Sequence, residues 1–586
     1  MPAYTSTMPN KSVYLETFGC QMNELDSQLV AGQLRALGYT FTTEAADADV
    51  ILYNTCSVRE HAEQKVWSRL GLLANRKRQR PELVVGVLGC LAERDGVDLI
   101  RRMPVVDVLC GPGELDKLPA LLDNAVKTRA SLDADTLHGP SNDVASSANL
   151  PMTSARQVAL QGSASRRSST LAAAEDSLEL LDLSRAVSPI DSAGSSAYVR
   201  ITRGCNKFCT YCVVPFTRGA EIHRPPDHIV DECRRLADAG VIEITLLGQT
   251  VNHYRFEHGA AVTIHGVTQP QKGRSYKGGH RRDPFSGERV TTFADLLARI
   301  HDEVPAIQRL RFVTSYPRDF GDDVLEVMRD HPRICRYLHV PAQSGSNRVL
   351  KLMNRGYEIE EYVDFLARAR AILDTPARPL MISGDIIVGF PTETDEDHAA
   401  TRDLLHAALY KSAFIFKYSP RPGTVAYDKL ADDVPERVKR RRNNELLAIQ
   451  SDISDEVSRA QVGRVMDVMI EGLSRRTLKR AGLTKSEIRT AGAIALTIAG
   501  RGIGESPSTA RAAAPPTAAS AVGASRAVSP TFDHDGEVQL TGRTDGDLIV
   551  LLDAPAHRAD DLIGRIVRAQ ITSADRLSLH GQLIER

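Results

Sequence analysis

The chain lacks the long apolar runs that cross membranes, and it is poor in cysteine and aromatic residues for its length. No run of about 18 apolar residues occurs, so the sequence predicts no transmembrane helix. The start, "MPAYTSTMPNK", lacks a basic region followed by an apolar one, so we expect no signal peptide and a cytoplasmic protein. Nine cysteines among 586 residues are too few for a disulfide scaffold, and their clustering indicates metal or redox chemistry.

Charge is nearly balanced, since 73 Lys and Arg stand against 74 Asp and Glu, and the net charge is −1. Such a balance does not by itself indicate a polyanionic partner. The basic residues nevertheless gather in four short runs, each of which is either a solvated surface or a nucleic-acid contact. These runs are residues 75–80, 272–282, 437–442 and 474–480.

Residues 11–125 alternate between apolar, strand-like runs and stretches with helical spacing. The strand-like runs are "SVYLETFGC", "DVILYNTC", "ELVVGVLGC" and "VVDVLC". Strands separated by helices of this length form right-handed βαβ units, so the segment predicts an N-terminal parallel α/β domain.

The rest of the chain divides into three parts. Residues 126–195 are rich in Ser and Ala without a period, which predicts a disordered linker or insertion. Residues 196–447 repeat a strand and a helix six times, which favours an open (β/α)6 barrel with a loop insertion at about 257–290. Residues 448–586 contain short strands with turns, which predict a small β-barrel interrupted by a disordered insertion at about 483–530.

A cysteine motif, "RGCNKFCTYC", follows the first strand of the predicted (β/α)6 barrel. Cys205, Cys209 and Cys212 supply thiolates, which are soft ligands for zinc or iron–sulfur clusters. A structural zinc site needs a fourth ligand nearby, but His223 and His228 fit no common zinc spacing. Three thiolates on a four-iron cluster would leave one iron open to bind a substrate or cofactor.

This C-x3-C-x2-C motif, with Tyr211 before its last cysteine, resembles that of the radical S-adenosylmethionine (SAM) superfamily. The resemblance implies that the three thiolates hold a [4Fe-4S] cluster. It also implies that the open iron binds the amino and carboxylate groups of SAM.

A second set of cysteines is dispersed along the N-terminal domain. Cys20, Cys56 and Cys90 each follow an apolar strand, and the carboxyl ends of parallel strands meet at one edge of a sheet. We therefore expect a second three-thiolate cluster, again with one iron open. Cys110 also follows a strand, and spacing alone leaves it open as a fourth or substitute ligand.

Two three-cysteine sites and a C-terminal β-barrel resemble the methylthiotransferases, which join a cluster domain, a radical SAM barrel and an RNA-binding TRAM domain. "YLETFGCQMNELDS", "NTCSVREHAEQKV" and "GVLGCLAER" are similar to the branch acting on isopentenylated adenosine in tRNA, and "LTGRT" matches the TRAM portion. The resemblance implies that Cys20, Cys56 and Cys90 bind the second [4Fe-4S] cluster and that Cys110 does not.

Three barrel segments resemble those that line the SAM pocket in this family: "LLGQTVNHY", "VPAQSGSNRVLKLMNR" and "ISGDIIVGFPTET". The resemblance implies SAM contacts from Gln249, Ser344, Arg355, Asp385 and Glu393. Asp385 could equally be a satisfied carboxylate at a strand end, and Thr250 stands where the family has Asn.

The family replaces the C2 hydrogen of N(6)-dimethylallyladenosine with a methylthio group. That hydrogen is not acidic, so general acid–base catalysis is not the natural tool and a radical is. The resemblance implies that one cluster passes an electron to SAM, that the second cluster carries sulfur, and that a second SAM supplies the methyl group.

The implied partners are the anticodon loop of tRNA, a reducing electron donor and a sulfur source, with no membrane and a monomeric protein. Low aromatic content, 5% with one tryptophan, leaves phosphate contacts to carry much of the RNA affinity. Two alternatives stay open. One is a methylthiotransferase for threonylcarbamoyl-adenosine or a ribosomal protein; the other is a non-catalytic iron–sulfur or zinc protein that binds RNA.

Overall fold

The structure is a computed structural model that describes residues 11–57, 60–137, 156–161, 176–185, 195–273, 289–482 and 536–584. Of residues 61 and 130–137 it describes the backbone alone. The insertion predicted at 483–530 lies outside these ranges. Among the described helices, none is long and apolar enough to span a bilayer.

A six-stranded parallel sheet forms the N-terminal domain, which confirms the predicted parallel α/β fold and adds β2 and β6 to the four predicted strands. In chain order its strands are β1 (Ser12–Phe18), β2 (Thr40–Phe41), β3 (Val50–Thr55), β4 (Val84–Gly89), β5 (Val108–Cys110) and β6 (Gln157–Ala159), and the spatial order is β2-β1-β3-β4-β5-β6. The helices are α1 (Gln21–Ala36), α2 (Glu60–Gln79), α3 (Cys90–Arg102) and α4 (Leu118–Leu137). Every residue of β3 and β4 is buried, which explains their unbroken apolar runs.

The prediction of a disordered linker at 126–195 is wrong for the described parts of that segment. Helix α4 continues to Leu137, β6 pairs with β5, and a further helix, α5 (Ser177–Leu183), is half buried. The composition hides these elements because their order comes from partners distant in the chain. Strand β6 gains a sheet edge, and α5 buries Glu179 and Asp182 against arginines of the barrel.

The radical SAM-like region holds six parallel strands, confirming the partial (β/α)6 prediction. They are β7 (Ser196–Arg200), β10 (Glu243–Leu247), β16 (Arg309–Phe312), β17 (Tyr337–His339), β18 (Met381–Val388) and β19 (Ser412–Lys417). They form two three-stranded sheets that a parallel bridge between Leu310 and Ile334 connects. The helices are α6 (Val214–Thr217), α7 (Pro226–Asp238), α8 (Phe293–Glu303), α9 (Asp322–Asp330), α10 (Asn347–Leu352), α11 (Ile359–Leu373), α12 (Asp395–Ala408), α13 (Val425–Lys429) and α14 (Glu436–Arg459).

The insertion at 257–290 is more than a loop in its described part. The short strands of this region are β8 (Thr202–Arg203), β9 (Ile222–His223), β11 (Arg255–Glu257), β12 (Thr263–Ile264), β13 (Val267–Thr268), β14 (Gln271–Lys272) and β15 (Val290–Thr292). Strand β11 pairs with β15, β12 with β13, and β14 with β9 beside the cysteine loop.

A closed five-stranded barrel forms the C-terminal unit, confirming the predicted β-barrel. Its elements are β20 (Val465–Leu473), α15 (Arg475–Arg480), β21 (Glu537–Thr544), β22 (Ile549–Pro555), α16 (Ala559–Leu562), β23 (Ile566–Ala574) and β24 (Leu579–Leu583). The predicted boundary at 447/448 falls inside α14 and is wrong. The compact units divide after Ala460, because α14 packs on β19 and α12 of the preceding unit.

Two three-cysteine sites as the candidate active site

Strand register brings the N-terminal cysteines to one edge of the sheet. Phe18 of β1 lies opposite Thr55 of β3, and Thr55 lies opposite Gly89 of β4. The residues that follow these strands include Cys56 and Cys90, at matching positions, and Cys20 one residue further along. Cys20 caps α1 and Cys90 opens α3, so two helix N-termini face this edge, where their dipoles favour thiolates.

Glycines make room for the thiols at this edge. A Cβ on Gly19 would lie 2.7 Å from the Cβ of Cys56, and one on Gly89 would lie 2.4 Å from Oδ1 of Asn54. Gly89 also has a φ of +87°, which side chains rarely adopt. These glycines let the cysteine backbones approach one another closely.

Hydrogen bonds and one arginine tune the N-terminal thiols. A hydrogen bond from Cys56 lowers the pKa of the Cys20 thiol to about 5, against the effect of burial, and the Arg218 guanidinium lowers it further. Burial raises the pKa of Cys90, and Arg218 opposes that shift. The Cys20 Sγ lies 3.3 Å from Oδ1 of Asn23. Arg218 therefore lies beside two of the three thiols.

Cys110 lies apart from this arrangement. It is opposite Leu88, two residues before Cys90, and its Sγ lies 3.2 Å from the carbonyl of Glu114. Burial and the carboxylates of Asp116 and Glu114 raise its pKa. This placement supports leaving Cys110 out of the ligand set.

The barrel cysteines lie on a loop after β8. This loop turns at Gly204, where the backbone conformation and the space suit only glycine. Gly204 has a φ of +66°, and a Cβ there would lie 2.0 Å from the carbonyl oxygen of Ala220. The N–H of Cys205 donates to the Gly219 carbonyl at 3.2 Å. On the other side, the N–H of Thr210 donates to the Met353 carbonyl at 3.0 Å. The loop is thus fixed at both ends.

Burial opposes ionisation of two barrel thiols, Cys205 and Cys212. It raises the pKa of Cys205, and it raises the pKa of Cys212 to about 12 with a further contribution from Cys209. A cationic metal centre would reverse this preference and hold all three as thiolates. Three thiols at each site are soft donors of the kind that iron–sulfur clusters and zinc both accept.

The two cysteine sites lie near one another. Helix α3, which begins at Cys90, packs on the short helix α6 that follows Cys212. The charge of Cys90 is among those that raise the pKa of Cys212. The two sites therefore share one region, as successive steps on one substrate require.

Arg218 and Asp26 join the two domains at this point. Asp26 of α1 accepts a 2.8 Å hydrogen bond from Arg218 and a 3.4 Å one from Arg200, and all three side chains are buried. Arg200 is also bound at 2.8 and 2.7 Å by the carboxylate of Asp182. Reading the sequence missed Arg218, although it lies inside the segment "CTYCVVPFTRG" that carries the motif.

The five residues implied to contact SAM have different surroundings. Nη1 of Arg355 lies 3.5 Å from Sγ of Cys209, and its guanidinium lies 4.6 Å from the ring centre of Tyr316. Ser344 is buried and accepts a hydrogen bond from the N–H of Ser346.

Two of the other three residues, Asp385 and Glu393, contact polar groups within the protein. Asp385 lies 3.4 Å from Nε2 of His339 on the neighbouring strand, and Gln249 is half-buried just after β10. Glu393 is buried, accepts from the N–H of Gly389 at 2.7 Å, and pairs with Arg442 at 2.6 Å. Of the five, Arg355 has the clearest link to the cysteine loop, and all five stay predictions.

Two of the four basic runs serve the fold. In the run 75–80, the buried Lys77 is paired with Asp107. In the run 437–442, Arg442 is buried against Glu393. The other arginines of the run 437–442, which are Arg437, Arg440 and Arg441, are exposed on α14.

The run 474–480 is different. Arg475, Arg476, Lys479 and Arg480 are all exposed on α15 of the C-terminal barrel. Of the run 272–282, only Lys272 and Gly273 lie in the described residues. Helix α15 is thus one exposed basic face, in the described part of the chain, that suits a phosphate backbone.

Two protein-family models match the chain. The radical SAM superfamily matches residues 199–405, and uncharacterized protein family UPF0004 matches residues 12–111. The (β/α)6 fold and the cysteine loop therefore define a radical SAM protein whose N-terminal domain carries a second cysteine site.

Three relatives share the name tRNA-2-methylthio-N(6)-dimethylallyladenosine synthase. The one from Rhodopirellula baltica is 41% identical over 80% of this chain and 85% of its own length. The one from Bacteroides fragilis is 38% identical, over 80% and 86%. The one from Dichelobacter nodosus is 35% identical, over 98% and 96%. The chain belongs to this family of synthases.

Proposed function

We infer that this protein is a radical SAM tRNA methylthiotransferase, which converts N(6)-dimethylallyladenosine in tRNA to its 2-methylthio derivative. The observation that carries this is the convergence of two three-cysteine sites in a chain of this family. One site alone would suit many radical SAM reactions, whereas the pair suits sulfur insertion.

We propose that Cys205, Cys209 and Cys212 hold one [4Fe-4S] cluster and that Cys20, Cys56 and Cys90 hold a second. When bound, the clusters and SAM supply one-electron chemistry, sulfur and the methyl group. Support comes from the donor sets, since each trio supplies three thiols and three thiolates leave one iron of a four-iron cluster open.

The proposed SAM contacts are Gln249, Ser344, Arg355, Asp385 and Glu393. Arg355 has the strongest support, because its guanidinium is held by the Pro341 carbonyl at 2.8 Å while another of its nitrogens reaches Cys209. Such a fixed cation beside a thiolate would stabilise its charge and orient a carboxylate on the bound cofactor.

A buried amide pair fixes the shape of the second site. Asn23 and Asn54 are fully buried and bond to each other at 3.0 Å behind the cysteines. Asn54 also donates to the Asn23 carbonyl at 2.9 Å. A fully satisfied amide pair keeps the loop ends in a single arrangement.

The tRNA substrate fits the exposed basic face of α15. We propose that the anticodon loop is the region bound, because a base in a single-stranded loop can be turned out into a pocket. An electron donor and a sulfur source complete the proposed partners, and we propose that the protein works as a monomer.

The test is the nucleoside content of tRNA from cells with and without the gene, measured by liquid chromatography and mass spectrometry. Deletion should remove 2-methylthio-N(6)-dimethylallyladenosine and leave the unthiolated nucleoside in its place. The wild-type gene should restore the product, and a Cys205→Ala gene should not. An unchanged product, or a change confined to threonylcarbamoyl-adenosine, would contradict this function.

A further inference from the structure

A buried carboxylate and two buried imidazoles meet beside the barrel cysteine loop. Glu221 and His223 lie at β9, and His253 ends a 3-10 turn, Val251–His253, that follows β10. One oxygen or nitrogen of each lies within 4.8 Å of the other two. Their exposed fractions are 0%, 2% and 5%. The function proposed above uses none of them.

Hydrogen bonds hold the Glu221 carboxylate in one orientation. Its Oε1 accepts from the hydroxyl of Thr250 at 2.7 Å, while Oε2 lies 2.6 Å from Nδ1 of His253. The backbone N–H of Glu221 donates to Oδ1 of Asn206 at 3.1 Å. The bonds from Thr250 and to Asn206 are outer hydrogen bonds, which fix the direction of a metal ligand.

His223 lacks a polar partner in spite of its burial. Within the described ranges, neither of its ring nitrogens makes a hydrogen bond, and Nδ1 is fully enclosed. The ring packs edge-on against Tyr254, with centres 5.6 Å apart. Burying an imidazole without a hydrogen-bond partner lowers the stability of the fold. A bound ligand at this nitrogen would remove that cost.

The lone pairs of Glu221 and His223 converge on one space. A Cβ placed on Gly273 would lie 2.7 Å from Nε2 of His223 and 2.8 Å from Oε2 of Glu221. A side chain at position 273 would therefore press on both groups. Glycine there keeps the space between the two groups free.

We propose that Glu221, His223 and His253 bind one zinc ion whose fourth position is open to water. Two imidazoles and a carboxylate are a zinc donor set, and bonds of about 2.1 Å place tetrahedral donors about 3.4 Å apart. The site reaches that geometry if His223 moves inward and the Glu221–His253 contact opens by less than about 1 Å.

The ion would brace the cysteine loop from outside. Glu221 follows closely after Gly219, whose carbonyl accepts from the N–H of Cys205 at 3.2 Å. A metal at Glu221 would tie this segment to the 3-10 turn that carries His253. It would also place a positive charge beside a buried carboxylate near the cluster ligands.

The test is metal analysis of the anaerobically purified holoenzyme from zinc-supplemented cells. We expect about one zinc per chain in addition to cluster iron. His223→Ala and Glu221→Gln should each lose most of the zinc with iron unchanged. The matched control is His301→Ala, which alters a second His–Asp–His trio at the surface, where Asp302 is 65% exposed. That variant should keep its zinc.

Zinc that is absent, or that stays in both variants, would overturn the proposal. If the variants fail to fold, X-ray absorption of the His301→Ala protein at the zinc edge still decides, because that variant lacks one imidazole of the surface trio. Nitrogen and oxygen ligands with two imidazoles support the site, whereas sulfur ligands would show zinc in a cysteine trio and overturn it.

Discussion

Arg218 is the residue at which the two cysteine sites meet. Its guanidinium lies beside Cys20 and Cys90, and its ion pair with Asp26 spans 192 positions of the chain. Cysteines can be recognised as candidate ligands in a sequence, because few other residue types bind iron–sulfur clusters. An arginine in a loop has many possible roles, and only the fold identifies its partner.

The first residue-scale prediction concerns the reactivity of Cys20. Because a hydrogen bond from Cys56 and the charge of Arg218 lower its pKa to about 5, Cys20 should be thiolate at pH 6.5 in cluster-free protein. Cys212, with a pKa of about 12, should stay a thiol. Mass spectrometry after brief iodoacetamide treatment should find Cys20 alkylated first.

Arg218→Ala should slow that alkylation several-fold at pH 5, close to the pKa of Cys20, by raising that pKa. Arg234→Ala is the control, since Arg234 forms an exposed ion pair with Asp231 away from the thiols. Equal rates of Cys20 alkylation in the two variants would show that Arg218 does not lower the pKa of Cys20.

The second residue-scale prediction separates Cys90 from Cys110. Two clusters give about eight irons per chain, so Cys90→Ala should lower the iron to about four. Cys110→Ala should leave it unchanged, because the Cys110 thiol faces the Glu114 carbonyl. Iron analysis after anaerobic reconstitution measures both. Loss of iron in Cys110→Ala would return that residue to the ligand set.

At the scale of elements, the strands that carry cysteines were predictable and α5 was not. Strands β3 and β4 are recognisable from their fully buried apolar runs and β1 from its β-rich sequence, and parallel topology then brings the strand ends together. Helix α5 is short and lies in a Ser/Ala-rich stretch, so its order depends on ion pairs with distant arginines. Local composition carries no signal of such partners.

Helix α5 should therefore matter for stability. Asp182→Ala removes the carboxylate that holds the buried Arg200 and should cost about 3–5 kcal/mol of unfolding free energy. The matched control, Asp231→Ala, breaks an exposed pair and should cost less than about 1 kcal/mol. Urea denaturation followed by circular dichroism compares them. Similar urea midpoints for the two variants would show that the Asp182–Arg200 pair does not stabilise the fold.

At the scale of the whole molecule, a net charge of −1 conceals an uneven distribution. Some of the arginines are buried in ion pairs, as Arg442 is with Glu393. On α15, by contrast, four cations are exposed. The sequence located all four basic runs but could not rank them, because burial separates a structural cation from one available to phosphate.

That ranking predicts how tRNA binding depends on salt. Replacing Arg475, Arg476 and Lys479 with alanine should weaken tRNA binding. It should also reduce the slope of log binding constant against log salt concentration by about 0.7–0.9 for each phosphate that the protein no longer neutralises. The control removes the same charge from α14 by replacing Arg437, Arg440 and Arg441, which are also exposed. Fluorescence anisotropy over a salt series measures both. An equal effect of the two triple variants would assign the binding to net charge alone.

Asp26 has a consequence for how this chain tolerates change. One carboxylate holds arginines from two places in the barrel, and Asp182 of α5 holds one of them from the segment that connects the two domains. Lengthening a connection costs little entropy once its ends are held. A change in the length of this connection is therefore tolerated during evolution only where it leaves β6, α5 and the pairing at Asp26 in place.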